Sequence, residues 1–299
     1  MQFEGYAALN NCLPTNIMNI NKHSFIDYRR TVAANREIFL LKYPNVLIDF
    51  LKTDDYCTVL TESLAKRRLP TRKTLVSFIP LMSLLQRQMR NSFEAFAAAQ
   101  SYQGWVLLRP ALESALIMGK WTDDKKFAEL WMNRGKNKKA YSRAYSGPSL
   151  ESKSLPQSRE IRAVLSRIND DFMHLNESYY NRHSSLNPIE RDQFLFKVSY
   201  FDEDIEQEFH LHAFMHLSIV IIKCISQMLD SRFDDGAVMP VDVDEFQKAY
   251  RSTIQELAQK DPDRALVLVE LGLWPKEIIE QARLSIPLLS TSHTPPSLS

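Results

Sequence analysis

Glycine is the residue that this sequence most clearly lacks. The chain has 7 glycines in 299 residues, roughly a third of the usual share of about 7%. Few positions can then adopt a positive φ angle, which disfavours architectures rich in hairpins. The glycines are also too widely spaced to form a dinucleotide-binding or phosphate-binding loop. The sequence therefore predicts an all-α chain, and we expect no cofactor.

Cysteine and net charge are low as well. Cys12, Cys57 and Cys224 form no CxxC pair and no zinc-binding pattern, which favours a reducing compartment. The formal net charge is +1, so no overall field favours nucleic acid or an anionic membrane. The most apolar run, residues 217–222, is far shorter than the roughly 20 residues of a membrane span. Because the N-terminus also lacks the pattern of a secretory signal, we expect a cytoplasmic protein.

Apolar residues recur at helical spacing over most of the chain. The pattern predicts an irregular bundle of about eight to ten helices. It also predicts one helix over residues 123–145, a loop at 184–188, and a helix or extended connector at 193–201, since a lone strand would have no partner. The predicted organisation has N-terminal helices in 1–70, a central bundle in 71–230 with a Ser- and Pro-rich loop at 146–158, C-terminal helices in 235–285 and a disordered tail in 286–299.

Arg109 and Glu113 are four residues apart, so they lie on one face of a helix within reach of each other. Their neighbours on that helix are mostly apolar, and we therefore expect a largely buried ion pair. Such a pair has two interpretations, since structural ion pairs and catalytic groups both occur in such surroundings. It either ties two helices together or belongs to an active site.

Glu208, His212 and His216 follow one another at steps of four, a spacing that metal ligands use on a helix. The zincin pattern also needs a Glu next to its first His, but here Leu211 and Ala213 flank His212. The alternative is a polar edge beside a core helix. We expect no bound metal.

Three further features could bear on function. Arg167 and His174 fit the loosely defined Arg-x(4–6)-His pattern of HEPN ribonucleases, a spacing that also arises by chance. His183 is a titratable group beside a Ser-rich loop, where function concentrates. Basic clusters at 65–73 and 125–143 could bind phosphate groups. RNA is therefore a possible partner, although such clusters are often only solvated helix ends and the net charge does not support it.

Residues 95–124 resemble a family of mostly bacterial all-helical domains of uncharacterised function. The family pattern is an Ala-rich helix end, an Arg-x-x-x-Glu helix and a following Asp, which here fall on Arg109, Glu113 and Asp123 or Asp124. Members also carry a Tyr, a Ser and a His-Pro at a later loop. The comparable stretch here has Tyr179, His183 and Asn187–Pro188, so that the family's Ser and His are replaced by His183 and Asn187.

The resemblance covers roughly residues 75–230 and implies a distant likeness to HEPN proteins, which are often dimeric and act in stress or phage defence. We therefore expect a helical binding or regulatory module, with Arg109, Glu113 and His183 as the candidate site. The alternative is a metal-independent ribonuclease or other hydrolase of the HEPN-like type. We also expect a homodimer, because helices within 75–121 and 204–229 carry large apolar residues on more than one face.

Overall fold

The computed structural model describes residues 24–66, 78–173, 184–190, 193–198, 201–232, 244–270 and 272–278. Within these ranges the all-α, multi-helix fold expected from the sequence is confirmed, with ten α-helices. They are α1 (Ser24–Lys42), α2 (Pro44–Lys66), α3 (Phe78–Ala97), α4 (Ser101–Asp123), α5 (Lys125–Met132), α6 (Lys138–Tyr145), α7 (Ser158–Arg167), α8 (Asp204–Arg232), α9 (Asp244–Lys260) and α10 (Pro262–Glu270). A 3₁₀ turn, Gly147–Leu150, follows α6, and a π-helical segment, Ile168–Met173, follows α7.

Two short strands interrupt the helical pattern. β1 (Ser184–Glu190) and β2 (Gln193–Val198) pair antiparallel, with Ser184 opposite Val198. The prediction of a loop at 184–188 was therefore wrong. Pro188 is the physical reason, because proline is unfavourable in most strands and makes β1 resemble a loop. The segment 193–201, predicted as a helix or extended connector, is extended over Gln193–Val198 but forms a paired strand there. Apolar residues alternate along β2, at Phe194, Phe196 and Val198. Because β1 is not recognisable from the sequence, this alternating run had no strand to pair with.

The prediction of one helix over 123–145 was also wrong, because two side chains cap separate helices there. Asp124 accepts a hydrogen bond from the backbone nitrogen of Lys126 at 2.9 Å and begins α5. Asn137 accepts one from the backbone nitrogen of Ala140 at 3.1 Å and begins α6. Residues between the two helices form a turn that includes Gly135.

One hydrophobic core joins the described helices from Phe39 on α1 to Ile278 near the end of the described chain. Its centre lies between α3, α4 and α8, where the ring of Phe96 contacts Trp105 edge-on and packs against Phe214. These rings are wholly buried. Aromatic contacts between three helices thus set how α3, α4 and α8 pack.

Helix α8 is long and apolar enough to cross a membrane by length and composition alone. However, 94% of its most apolar 18-residue window is buried inside the protein. A helix that is apolar on all sides needs such cover in a soluble fold. Its burial therefore fits the core helix of a soluble protein.

The loop predicted at 146–158 is ordered and packs on the bundle. The carboxylate of Asp123 accepts hydrogen bonds from the Ser152 hydroxyl and from the backbone nitrogens of Lys153 and Ser154, at 2.8–3.1 Å. Leu155 is buried in the common core. The loop is therefore anchored to the C-terminal end of α4.

Helices α1 and α2 form one nearly continuous helix. Tyr43 separates them, and two bonds of the α-helical type span the junction, from the nitrogen of Tyr43 to the oxygen of Phe39 and from the nitrogen of Leu47 to the oxygen of Tyr43. Pro44 interrupts the regular helix here because it has no N–H to donate. The 43 residues of α1, Tyr43 and α2 span about 65 Å at about 1.5 Å per residue.

Candidate functional site

Arg109 and Glu113 form the ion pair that the sequence predicts. The Nη2 atom of Arg109 lies 2.8 Å from Oε1 of Glu113, and its Nε donates to Oδ1 of Asn169 at 2.6 Å. The side chains of Arg109 and Glu113 are 35% and 34% exposed, so the pair is half-buried, less covered than the largely buried pair that we expected. Leu108 and Leu112, which directly precede Arg109 and Glu113 in the sequence, are buried in the core.

This cluster connects α4 to the π-helical segment that holds Asn169. Two nitrogens of the Arg109 guanidinium are engaged by neighbouring side chains, so the geometry suits a structural tie between the two elements. His183, the third predicted site residue, lies outside the described residues, as does His174 of the HEPN-like pattern. The structure therefore places Arg109 beside Glu113 and says nothing of their distance to His183.

His212 and His216 are buried on the side of α8 that packs against α9. The ring of His212 lies 5.7 Å from that of Tyr250, measured between centroids. The Nδ1 atoms of both histidines are buried without a hydrogen-bond partner. Burial lowers the pKa of each to about 4, with smaller effects from Lys260 on His212 and from Arg251 on His216. Both imidazoles are therefore neutral near pH 7.

Glu208 does not complete a metal site with these histidines. It is half-buried, and its charge acts on the hydroxyl of Tyr43, whose pKa is raised mainly by burial. In the part of the chain that the structure describes, no three His, Cys, Asp or Glu side chains come together as metal ligands. The predicted i, i+4 spacing of the two histidines serves the packing of α8 on α9.

The surfaces from which we predicted a dimer are mostly covered within one chain. The argument rested on large apolar residues of α3, α4 and α8, namely Phe93, Phe96, Trp105, Leu108, Phe214, Ile219, Ile221 and Ile222, which are all buried, and on Leu107, which is half-buried. Helices that are apolar on several faces pack against one another here. A dimer therefore needs a different surface.

Such a surface lies on α1 and α2. Of the eleven large apolar side chains that are exposed among the described residues, eight are on these two helices. At about 100° per residue, six of them fall within roughly 100° of arc on the side away from the core. We call these six the outer stripe: Ile26, Leu40, Leu41, Ile48, Leu51 and Val59.

The sequence contained a signal for this stripe. Ile26, Ala33 and Leu40 are seven residues apart, the repeat by which helices pair along a seam. The signal is missed when every apolar residue of α1 is assigned to the core. Phe39 is indeed buried, but Leu41 is 74% exposed. A helix with apolar residues on two opposite sides shows no single apolar face.

The second basic cluster is exposed as well. Helices α5 and α6 and their connecting turn carry seven Lys or Arg side chains, all exposed, and one exposed acid, Glu129. The seven are Lys125, Lys126, Arg134, Lys136, Lys138, Lys139 and Arg143. The guanidinium of Arg134 lies 4.7 Å from the ring centre of Trp131, so cationic and aromatic groups share this surface. The first cluster, 65–73, lies mostly outside the described residues.

No family model, curated protein or solved structure matches this chain.

Proposed function

We propose that the chain is a helical binding module that associates with another macromolecule through the outer stripe. The observation that carries the proposal is the concentration of exposed large apolar side chains on α1 and α2. Single exposed apolar residues are ordinary, but a set of them on one side of a protein marks an interaction surface. The stripe is not needed to close the core, which Phe39, Val46 and Phe50 on the opposite side of the same helices complete.

An enzyme of the HEPN-like type is less well supported. Arg109 is engaged by Glu113 and Asn169, which favours a structural role for it. The setting we propose is regulation in stress or phage defence, as the family resemblance implies. A cytoplasmic location fits the thiols of Cys57 and Cys224, which are buried and not joined in a disulfide.

Polar substitution in the outer stripe tests whether these residues belong to a binding surface. We expect Leu40→Gln with Ile48→Gln to change the free energy of unfolding by less than about 1 kcal/mol, because both side chains are exposed. The control is Phe39→Ala on the same helix, whose side chain is buried and whose loss should cost about 3–5 kcal/mol. Urea unfolding measures both. A large loss in the double variant would show that the stripe packs inside the protein and would overturn the proposal.

Association itself is tested with a photo-cross-linking amino acid in the full chain. We expect the group at position Leu41 to form discrete covalent adducts with a macromolecule in living cells. The control position is Val267 on α10, which is exposed but isolated from the stripe and should give none. Absence of adducts at Leu41, or the same adducts at both positions, would contradict a binding role for the stripe.

A second candidate function is binding of an anionic polymer such as RNA by α5 and α6. The seven exposed cations against one acid make a local positive patch although the whole chain carries a net charge of +1. Lys and Arg contacts to phosphates, combined with aromatic rings, are the usual means of holding single-stranded nucleic acid. The Trp131 and Arg134 pair supplies the aromatic component.

Charge reversal in the turn and in α6 tests this second function. We expect Lys136→Glu, Lys138→Glu and Lys139→Glu together to weaken binding of a labelled 30-nucleotide RNA at least about tenfold and to reduce the salt dependence of binding. Fluorescence anisotropy at two salt concentrations measures both. The matched control reverses three exposed cations of α9, Lys248, Arg251 and Lys260, for the same change in net charge. Equal losses in the two variants would indicate general electrostatics and refute a site on α5 and α6.

A further inference from the structure

The outer stripe is densest at the junction of α1 and α2. Leu40 and Leu41 precede Pro44, and Ile48 follows it, all with exposed side chains. Exposed charged residues flank this apolar centre on both helices. This is the arrangement of an association surface, with an apolar centre and a polar rim.

Counted outward from the junction at Pro44, the exposed charges beside the stripe follow opposite orders of sign on α1 and α2. On α1, Arg29 and Arg30 lie far from the junction and Glu37 lies near it. On α2, Lys52 lies near the junction, and Asp55 and Glu62 lie farther away. Arg36 and Lys42 are held by acids of other helices, Glu94 and Asp204. Arg30 and Lys52 make only ion pairs one turn away on their own helices, with Asp27 at 3.5 Å and Asp49 at 3.3 Å, and both side chains stay exposed.

We propose that the outer stripe binds a second copy of this chain, antiparallel, so that α1 of each copy lies along α2 of the other. This inference rests on the proposed binding role of the stripe and identifies its partner. With a two-fold axis near Pro44, Glu37 meets Lys52 of the other copy, and Arg29 and Arg30 meet Asp55 and Glu62. A parallel pair would instead place like charges opposite each other. Charge complementarity therefore favours a second copy of this chain as the partner, with its helices antiparallel to those of the first.

A groove on α1 fits this pairing. It is shallow and open to solvent, and it is lined by Phe25, Ile26, Arg29, Arg30 and Ala33 of this helix. The small side chain of Ala33 leaves a hole at the seven-residue repeat, which a larger side chain of a partner helix fills in knobs-into-holes packing. Val59 is the same distance in sequence from Pro44 as Arg29, and it lies between Asp55 and Glu62. Val59 of the second copy would enter the groove while those acids reach the two arginines.

The length of the stripe is sufficient for a stable dimer. From Ile26 to Val59 the stripe is about 50 Å long, and at a helix width of about 12 Å it offers on the order of 600 Å² of surface, the lower limit of what each partner of a standard interface buries. Because such an interface is isologous, each copy contributes the same residues. An anionic membrane suits this face less well, since Asp55 and Glu62 lie along it.

Complementary charge reversal tests the inference on the full chain. Light scattering across 1 to 100 μM, concentrations of the order at which such interfaces form, should give twice the monomer mass of 34.7 kDa. Arg29→Glu with Arg30→Glu should weaken self-association at least about tenfold, and so should Asp55→Lys with Glu62→Lys. Mixing the two variants should restore the dimer, because each reversed helix then meets its complement. Lys248→Glu with Lys260→Glu on α9 is the control and should dimerise as the unmodified chain does.

Three results would overturn the inference. They are a monomer over the whole concentration range, a dimer that neither charge reversal weakens, and a failure of the mixture to recover. Melting temperatures of the variants check that each remains folded. As a separate test without charge variants, the photo-cross-linking group at Leu41 in the purified chain should give an adduct of twice the monomer mass. If adducts form in cells but the purified chain gives no self-adduct, the second copy is not the partner and the proposed binding function still stands. If no adduct forms in either experiment, both the proposed function and this inference are refuted.

Discussion

Acidification from pH 7.5 to pH 5 should lower the free energy of unfolding by about 4 kcal/mol through His212 and His216 alone. Burial lowers the pKa of each to about 4, from an ordinary value of 6.5. An unfolded chain takes up a proton on each imidazole near pH 6.5, whereas the folded chain does so only near pH 4. Stability from these groups is therefore complete above pH 6.5 and is lost as the pH falls from 6.5 to 4, which amounts to about 2 kcal/mol per histidine by pH 5.

Leucine substitution isolates this contribution. Because the Nδ1 atoms of His212 and His216 are buried without partners, replacing both with Leu should leave stability at pH 7.5 within about 1.5 kcal/mol of its original value and remove most of the loss at pH 5. Urea unfolding at both values measures the difference. His210→Leu is the contrasting variant, because His210 accepts a hydrogen bond from the indole of Trp105 at 3.1 Å. Loss of this hydrogen bond should lower the free energy of unfolding already at pH 7.5. An unchanged pH dependence in the double variant would show that these histidines do not control acid unfolding.

The helices that the sequence predicts best are those whose apolar residues face one common core. Helix α8 was expected over 204–229 and extends from Asp204 to Arg232, because a long apolar run has no other stable state. Errors arose where one polar side chain decides the local structure. Asn137 caps a separate α6 within a run that otherwise has helical character. Pro188 makes the sequence of β1 resemble that of a loop. Neither effect is detected when the spacing of apolar residues is averaged over a window of many residues.

The candidate site was harder to predict because it depends on exposure, which is a property of the whole fold. Arg109 and Glu113 were paired correctly from their spacing alone. Their partner Asn169 comes from a segment 60 residues away, and no local pattern identifies it. In the same way, Leu41 and Phe39 are alike in the sequence, and only the packing of α1 on α3 distinguishes the exposed one from the buried one.

Gly104→Ala should destabilise the protein by about 3 kcal/mol, at the upper end of overpacking effects. A Cβ atom at Gly104 would lie 2.6 Å from the ring of Phe96, a ring that is wholly buried between α3, α4 and α8. The backbone there is also fixed, because the Ser92 hydroxyl donates to the carbonyl oxygen of Gly104 at 2.7 Å. The ring therefore has little room to move away, and the strain stays in the contact between α3 and α4.

A double-mutant cycle with Phe96→Leu shows whether the ring is the cause. Leu is smaller than Phe, so Gly104→Ala should cost at least about 1 kcal/mol less in the Phe96→Leu background than in the original chain. The control is Gly135→Ala, where a Cβ atom meets nothing within 4 Å and the change should be within about 0.5 kcal/mol of zero. Equal costs of Gly104→Ala in both backgrounds would exclude the ring contact as its origin. A reduced cost would establish that α3 and α4 approach as closely as they do because residue 104 has no side chain.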